Sequence, residues 1–111
     1  MKAELLLHRH RVFDDGHIME MTLWRVPRSV PPTTHGLKYS LFYGRPGARL
    51  VAYDNERGKG DHRHFLDREE AYQWLGVERL IADFLSDVWT CNGFVPVADL
   101  LTPPWLRTRV G

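Results

Sequence analysis

Two histidines stand two residues apart in the stretch Tyr53–His64, which reads YDNERGKGDHRH. Of its twelve residues only Tyr53 is hydrophobic, and the rest include the cations Arg57, Lys59 and Arg63 and the carboxylates Asp54, Glu56 and Asp61. If Asp61–Phe65 is extended, His62 and His64 project to one side and Arg63 to the other, because side chains alternate along a strand. Two neighbouring imidazoles suit two chemistries. One is a general base and general acid pair. The other is a metal site, with Asp54 or Asp61 as third ligand.

The cations around the pair weigh toward the first. Arg57, Lys59 and Arg63 repel a divalent ion and attract a phosphodiester, and guanidinium and ammonium groups also offset the charge that grows in its transition state. Gly58-Lys59-Gly60 permits the tight backbone of an anion-binding nest, with Lys59 adding a point charge. It lacks the glycine spacing and trailing Ser or Thr of a nucleotide-binding P-loop. Asp54 and Asn55, at a strand end, are suited to bonding nearby backbone amides. The expectation is metal-free phosphate chemistry without a cofactor. His62, His64, Lys59, Arg57 and Asp61 form its catalytic set, and Arg63, Asp54, Asn55, Gly58 and Gly60 contact substrate.

These residues need a scaffold, and alternation supplies one. Ala3–Phe13 reads as a strand, Asp14-Asp15-Gly16 as a tight turn, and His17–Val26 as a second strand with Met19, Met21 and Leu23 on one face. Leu37–Tyr43 sets Tyr39, Leu41 and Tyr43 against Lys38, Ser40 and Phe42, and Arg49–Tyr53 is a fourth short strand. Pro27–Gly36, with three prolines, is a loop long enough to act as a flap beside a site. Val77–Trp89 places Val77, Leu80, Ile81, Phe84, Leu85 and Val88 on one helical stripe, with Gly76 at its start. Glu69–Leu75 fits either a first helical turn or an extended segment. The predicted class is α+β: an antiparallel meander of about four strands packed by one main C-terminal helix, because every connection is too short for a crossover. Residues 1–90 form a single domain, and 91–111 form an extension in which Trp105, Arg107 and Arg109 are candidates for docking a partner.

Composition bounds the function. At 111 residues, 43% hydrophobic and 26% charged, the chain matches an average globular domain. A net charge of +1 gives no general basic excess for nonspecific nucleic-acid binding, although His8 and His10, alternating beside Arg9 and Arg11, would extend a basic face if their strand lies near the cluster. Cys91 is the single cysteine, so an intrachain disulfide is impossible. Three leucines before His8 are too short for a signal or membrane segment, which points to the cytoplasm and away from membranes. A free meander edge allows homodimerisation.

With these residues in place, the chain resembles the TumE family of bacterial toxin–antitoxin toxins from about Ala3 to Val88. The resemblance lies in Asp14-Asp15-Gly16, the W-x-V-P segment Trp24–Pro27, Lys38-Tyr39, the run YDNERGKGDHRH and the helix VERLIADFLSDV. It implies a small toxin of a type II pair. Its partner would be a cognate antitoxin, typically a helix-turn-helix DNA-binding protein that neutralises it and represses the operon. Many toxins of this size and build cut messenger RNA, so RNA is the implied substrate, with His62 and His64 sharing the proton transfers. The alternatives are a non-catalytic module that binds nucleic acid or a partner, and a metal-dependent nuclease built on the same histidine pair.

Overall fold

The computed structural model describes residues 2–92, the side chain of Asn92 excepted. Trp105, Arg107 and Arg109, the docking candidates, lie outside them. Six strands follow one another along the chain: β1 (Glu4–Val12), β2 (Ile18–Arg25), β3 (Leu37–Arg45), β4 (Ala48–Glu56), β5 (Gly60–Phe65) and β6 (Arg68–Ala71), with a helix α1 (Val77–Asn92) after them. The sheet order is β1-β2-β3-β4-β5-β6, antiparallel at every pairing. The α+β class and the meander stand as predicted, but the strands number six rather than about four.

The two added strands come from segments that alternation of apolar residues could not reveal. Tyr53–His64 is not a loop following a strand. β4 runs on through Asp54, Asn55 and Glu56, the chain turns at Arg57–Lys59, and Gly60 opens β5. Gly58 and Gly60 take φ of +88° and +79° to make that turn, a conformation glycine enters without steric cost. Leu66-Asp67 then closes a two-residue hairpin to β6.

One sheet face is apolar. Met19, Met21, Leu23, Tyr39, Leu41, Tyr43, Val51 and Tyr53 all lie on it and are buried. The opposite face is polar, and the pairings arrange it in two rows. His8, Thr22, Ser40, Asp54 and His62 form one row, and His10, Glu20, Phe42, Ala52, His64 and Glu69 the next. By internal contacts the sheet unit ends at Trp74 and a second unit begins at Leu75. In the second unit, Leu80, Phe84, Leu85 and Val88 are the buried positions of α1, the stripe expected from their spacing. Its first turn is closed by the Leu80 N–H donating to the Gly76 carbonyl at 3.0 Å.

Candidate active site on the polar face of the sheet

Register builds the site. Asp54 of β4 is directly opposite His62 of β5, Ala52 is opposite His64, and His64 is opposite Glu69 of β6. Residues so paired share a face with side chains about 5 Å apart. Asp54, His62, His64 and Glu69 therefore meet without any long-range loop closure. The two imidazole rings stand edge to face, centroids 5.0 Å apart, and Arg63 lies on the opposite face, as an extended Asp61–Phe65 requires.

His62 is 4% exposed and His64 7%. His62 Nδ1 lies 3.0 Å from the Gly60 carbonyl oxygen. A carbonyl only accepts, so Nδ1 carries a proton, which in a singly protonated ring leaves the lone pair on Nε2. That Nε2 lies 2.5 Å from Asp54 Oδ1. Among the described residues neither atom has a hydrogen-bond partner of acceptable geometry, although both are buried. Glu69 Oε2 is 3.6 Å from His62 Nε2, 3.4 Å from His64 Nε2 and 3.3 Å from Lys59 Nζ. Burial pushes the His64 pKa below the ordinary imidazole value, and the Arg49 guanidinium adds to that effect. Asp54, His62 and His64 each offer a ligand atom, and the three atoms lie within 4.8 Å of one another.

Beside Asp54 the polar face hollows into an open cavity of about 330 Å³, lined by Ser40, Phe42, Arg49 and Ala52 among others. It brings a guanidinium and a hydroxyl to the edge of the histidine cluster. Arg49, Ser40 and Glu69 were not singled out in the sequence. Ser40 opposite Asp54 and Glu69 opposite His64 are register facts, legible only once the hairpins are aligned.

The remaining candidates separate. Asp61 does not orient His62 or His64. It faces the other side of the sheet, where its Oδ1 accepts the Tyr39 hydroxyl at 2.6 Å and lies 2.9 Å from His35 Nε2. His35, assigned nothing in the sequence, stacks on Trp74 with ring centroids 3.9 Å apart. Arg63 shares that opposite face, 3.4 Å from Glu70 and over the Phe65 ring. Asn55 is fully buried and bonds the β3 backbone through both ends of its amide, so it cannot meet a substrate. Asp54 faces His62 rather than Lys59 or Arg57.

The glycine turn is not an open nest. The Gly58 N–H donates to the Pro31 carbonyl at 2.9 Å and the Lys59 N–H to Glu56 at 3.1 Å. The first of these bonds pins the Pro27–Gly36 loop against the turn. Arg57 is exposed at its tip. His8 and His10 share the polar face but lie on the far edge strand, four strand steps from β5, or roughly 19 Å at the usual spacing. They do not extend the cluster.

Fold and site together define a small α+β protein whose six-stranded meander carries an aspartate–histidine cluster on a polar, hollowed face. The family model for toxin TumE matches residues 2–90, and the chain belongs to that toxin family. No curated protein and no solved structure matches it significantly. Membership supports a toxin function and an antitoxin partner. Among the described residues no helix is long and apolar enough to cross a membrane.

Proposed function

We propose that this toxin is an endoribonuclease that halts translation by cutting RNA on the polar face of the sheet, with Asp54, His62 and His64 as its reacting centre. The observation that carries this reading is the convergence of those three side chains, with Asp54 also lining a cavity that presents Arg49. In cleavage by the neighbouring 2′-hydroxyl, a bond forms between the 2′-oxygen and phosphorus and the bond from phosphorus to the 5′-oxygen breaks. A proton leaves the first oxygen and one arrives at the second. Negative charge grows on the phosphoryl oxygens, and a guanidinium in a concave site offsets it.

The division of labour between two free imidazoles is not the arrangement this geometry favours. His62 turns one nitrogen to Gly60 and the other to Asp54, so the cluster acts as one polarising unit rather than as two separate proton carriers. The biological setting fits a type II pair in the cytoplasm, with a helix-turn-helix antitoxin that covers the toxin until it is degraded.

The test is incubation of purified, tag-free protein with mixed-sequence RNA, with divalent ions added or with EDTA. Discrete cleavage products that disappear in Asp54→Asn, while circular dichroism stays unchanged, are the expected result. RNA bound but never cut in any condition overturns the enzyme reading in favour of a toxin that sequesters its target.

A further inference from the structure

We infer that Asp54, His62 and His64 form a binding site for one divalent transition-metal ion of the zinc type. The inference concerns the cluster assigned above to RNA cleavage, but it stands on coordination chemistry and holds whether or not RNA is cut.

The first argument is the pair of atoms without partners. His62 Nε2 and Asp54 Oδ1 are buried and 2.5 Å apart, in no hydrogen-bond geometry with each other and, among the described residues, with no other hydrogen-bond partner. Two buried acceptors brought face to face are costly unless something positive lies between them. A proton on Nε2 fails on direction, since it would not point at the oxygen. An ion bonded to both lone pairs meets both needs.

The second argument is the orientation of His62. A metal-bound histidine usually donates its other ring N–H to a backbone carbonyl or a carboxylate, which fixes the tautomer that frees the ligating nitrogen. The Gly60 carbonyl does this for His62 at 3.0 Å from Nδ1. The bond is built into the hairpin, because Gly60 precedes His62 by two on β5.

The third argument is the fit of the set. Two imidazoles and one carboxylate are the ligands of open zinc centres, which keep a position for water or substrate. Ligand atoms on a shared tetrahedral ion lie roughly 3.4 Å apart, given bonds of about 2.0–2.2 Å. The present set brackets this value, from 2.5 Å between Asp54 and His62 to no more than 4.8 Å for any pair, so side-chain movements of about an ångström suffice. The ring nitrogens select zinc or cobalt over magnesium, which prefers oxygen ligands. The cavity that Asp54 borders lies beside the set.

The repulsion from Arg63 and Lys59 that argued against a metal in the sequence is offset in this geometry. Arg63 points to the other face beside Glu70, and Lys59 is held by Glu69, whose own carboxylate lies within 3.6 Å of both histidine Nε2 atoms. Asp54 and Glu69 set two carboxylates beside the histidines, against Lys59 and the nearby Arg49.

The experiment is titration of tag-free, full-length toxin, stripped with EDTA and dialysed, with zinc and with cobalt by calorimetry and thermal melting. The expected result is one equivalent bound, a melting temperature that rises with ion concentration, and cobalt absorption bands of tetrahedral intensity. Affinity is expected to fall roughly 10- to 100-fold or more in Asp54→Asn and in His64→Gln, and to be unchanged in the double variant His8→Gln/His10→Gln on the far strand. No binding by the wild type, or binding lost only with His8 and His10, overturns the site. Should the cluster variants fail to fold, cobalt broadening of histidine ring resonances in the wild type decides. Loss of the buried pair first supports the site, and loss of the exposed pair alone overturns it. RNA cleavage run in parallel keeps the two readings apart. A metal-loaded protein that never cuts RNA refutes the ribonuclease alone, and cutting undiminished in EDTA by a protein that binds no metal refutes the metal site alone.

Discussion

The amide group of Asn55 takes the place of strand backbone beside Tyr39: its Oδ1 accepts the Tyr39 N–H at 3.0 Å while its Nδ2 donates to the Leu37 carbonyl at 2.7 Å. The ladder of β3 and β4 stops at Ser40 opposite Asp54, and this one side chain satisfies the next backbone groups. It thereby holds the end of β4 straight where Asp54 must meet His62.

Asn55→Ala leaves a buried N–H and a buried carbonyl without partners. Each such group costs about 1–3 kcal/mol, so a loss of about 2–6 kcal/mol in urea unfolding is expected. Asn55→Asp is expected to destabilise as well, since a carboxylate would face the Leu37 carbonyl. Wild-type stability in both variants would refute the role.

Asp54 and Asp61 are expected to separate activity from stability. Asp54→Asn abolishes RNA cleavage by the folded protein. Asp61→Asn weakens the Tyr39 and His35 bonds and lowers stability by about 1–3 kcal/mol, while the folded fraction cuts at the wild-type rate. Cleavage assays normalised to folded protein distinguish the two, and a reversed pattern would return Asp61 to the catalytic set.

Arg49 lines the cavity and is expected to hold a phosphate. Arg49→Gln should weaken RNA binding and make the salt dependence of log K shallower by about 0.7 for the single lost contact. Fluorescence anisotropy over a range of salt concentrations measures both, and an unchanged slope places the RNA elsewhere.

The first turn is expected to be acid-sensitive. The His17 N–H donates to Asp15 Oδ1 at 2.9 Å and His17 Nδ1 lies 2.7 Å from its other oxygen, and these bonds hold the Asp15 pKa below the usual carboxylate range. A group whose folded pKa is depressed adds stability above its unfolded pKa and loses it as pH falls through the folded value. The difference in melting temperature between wild type and Asp15→Asn should therefore be present at pH 7, shrink as pH falls below the ordinary Asp value near pH 4 and vanish once it has passed through the lower folded value. A difference that persists at pH 2 removes the charge from the explanation.

Much of the fold was legible because alternation is a local property. Met19-x-Met21-x-Leu23 and Tyr39-x-Leu41-x-Tyr43 announce a buried face without reference to anything distant, and Asp14-Asp15-Gly16 announces the turn between their neighbours. β5 and β6 escaped because DHRH and REEA show no apolar alternation, and Asp and Asn in β4 are poor strand formers. Pairing with an existing edge overrode that propensity.

The sequence by itself determined the α+β class, the antiparallel meander, the apolar face, the stripe of α1 and the placement of His62 and His64 side by side, since their spacing sets both rings on one side of any strand. Only the tertiary structure decided their company. Register, a long-range property, put Asp54 opposite His62 and Glu69 opposite His64 while sending Asp61 to Tyr39 and His35. Strand order left His8 and His10 at the far edge. A one-residue shift in the pairing of β4 with β5 would invert the assignments of Asp54 and Asp61, and a local pattern of residue types does not encode that shift.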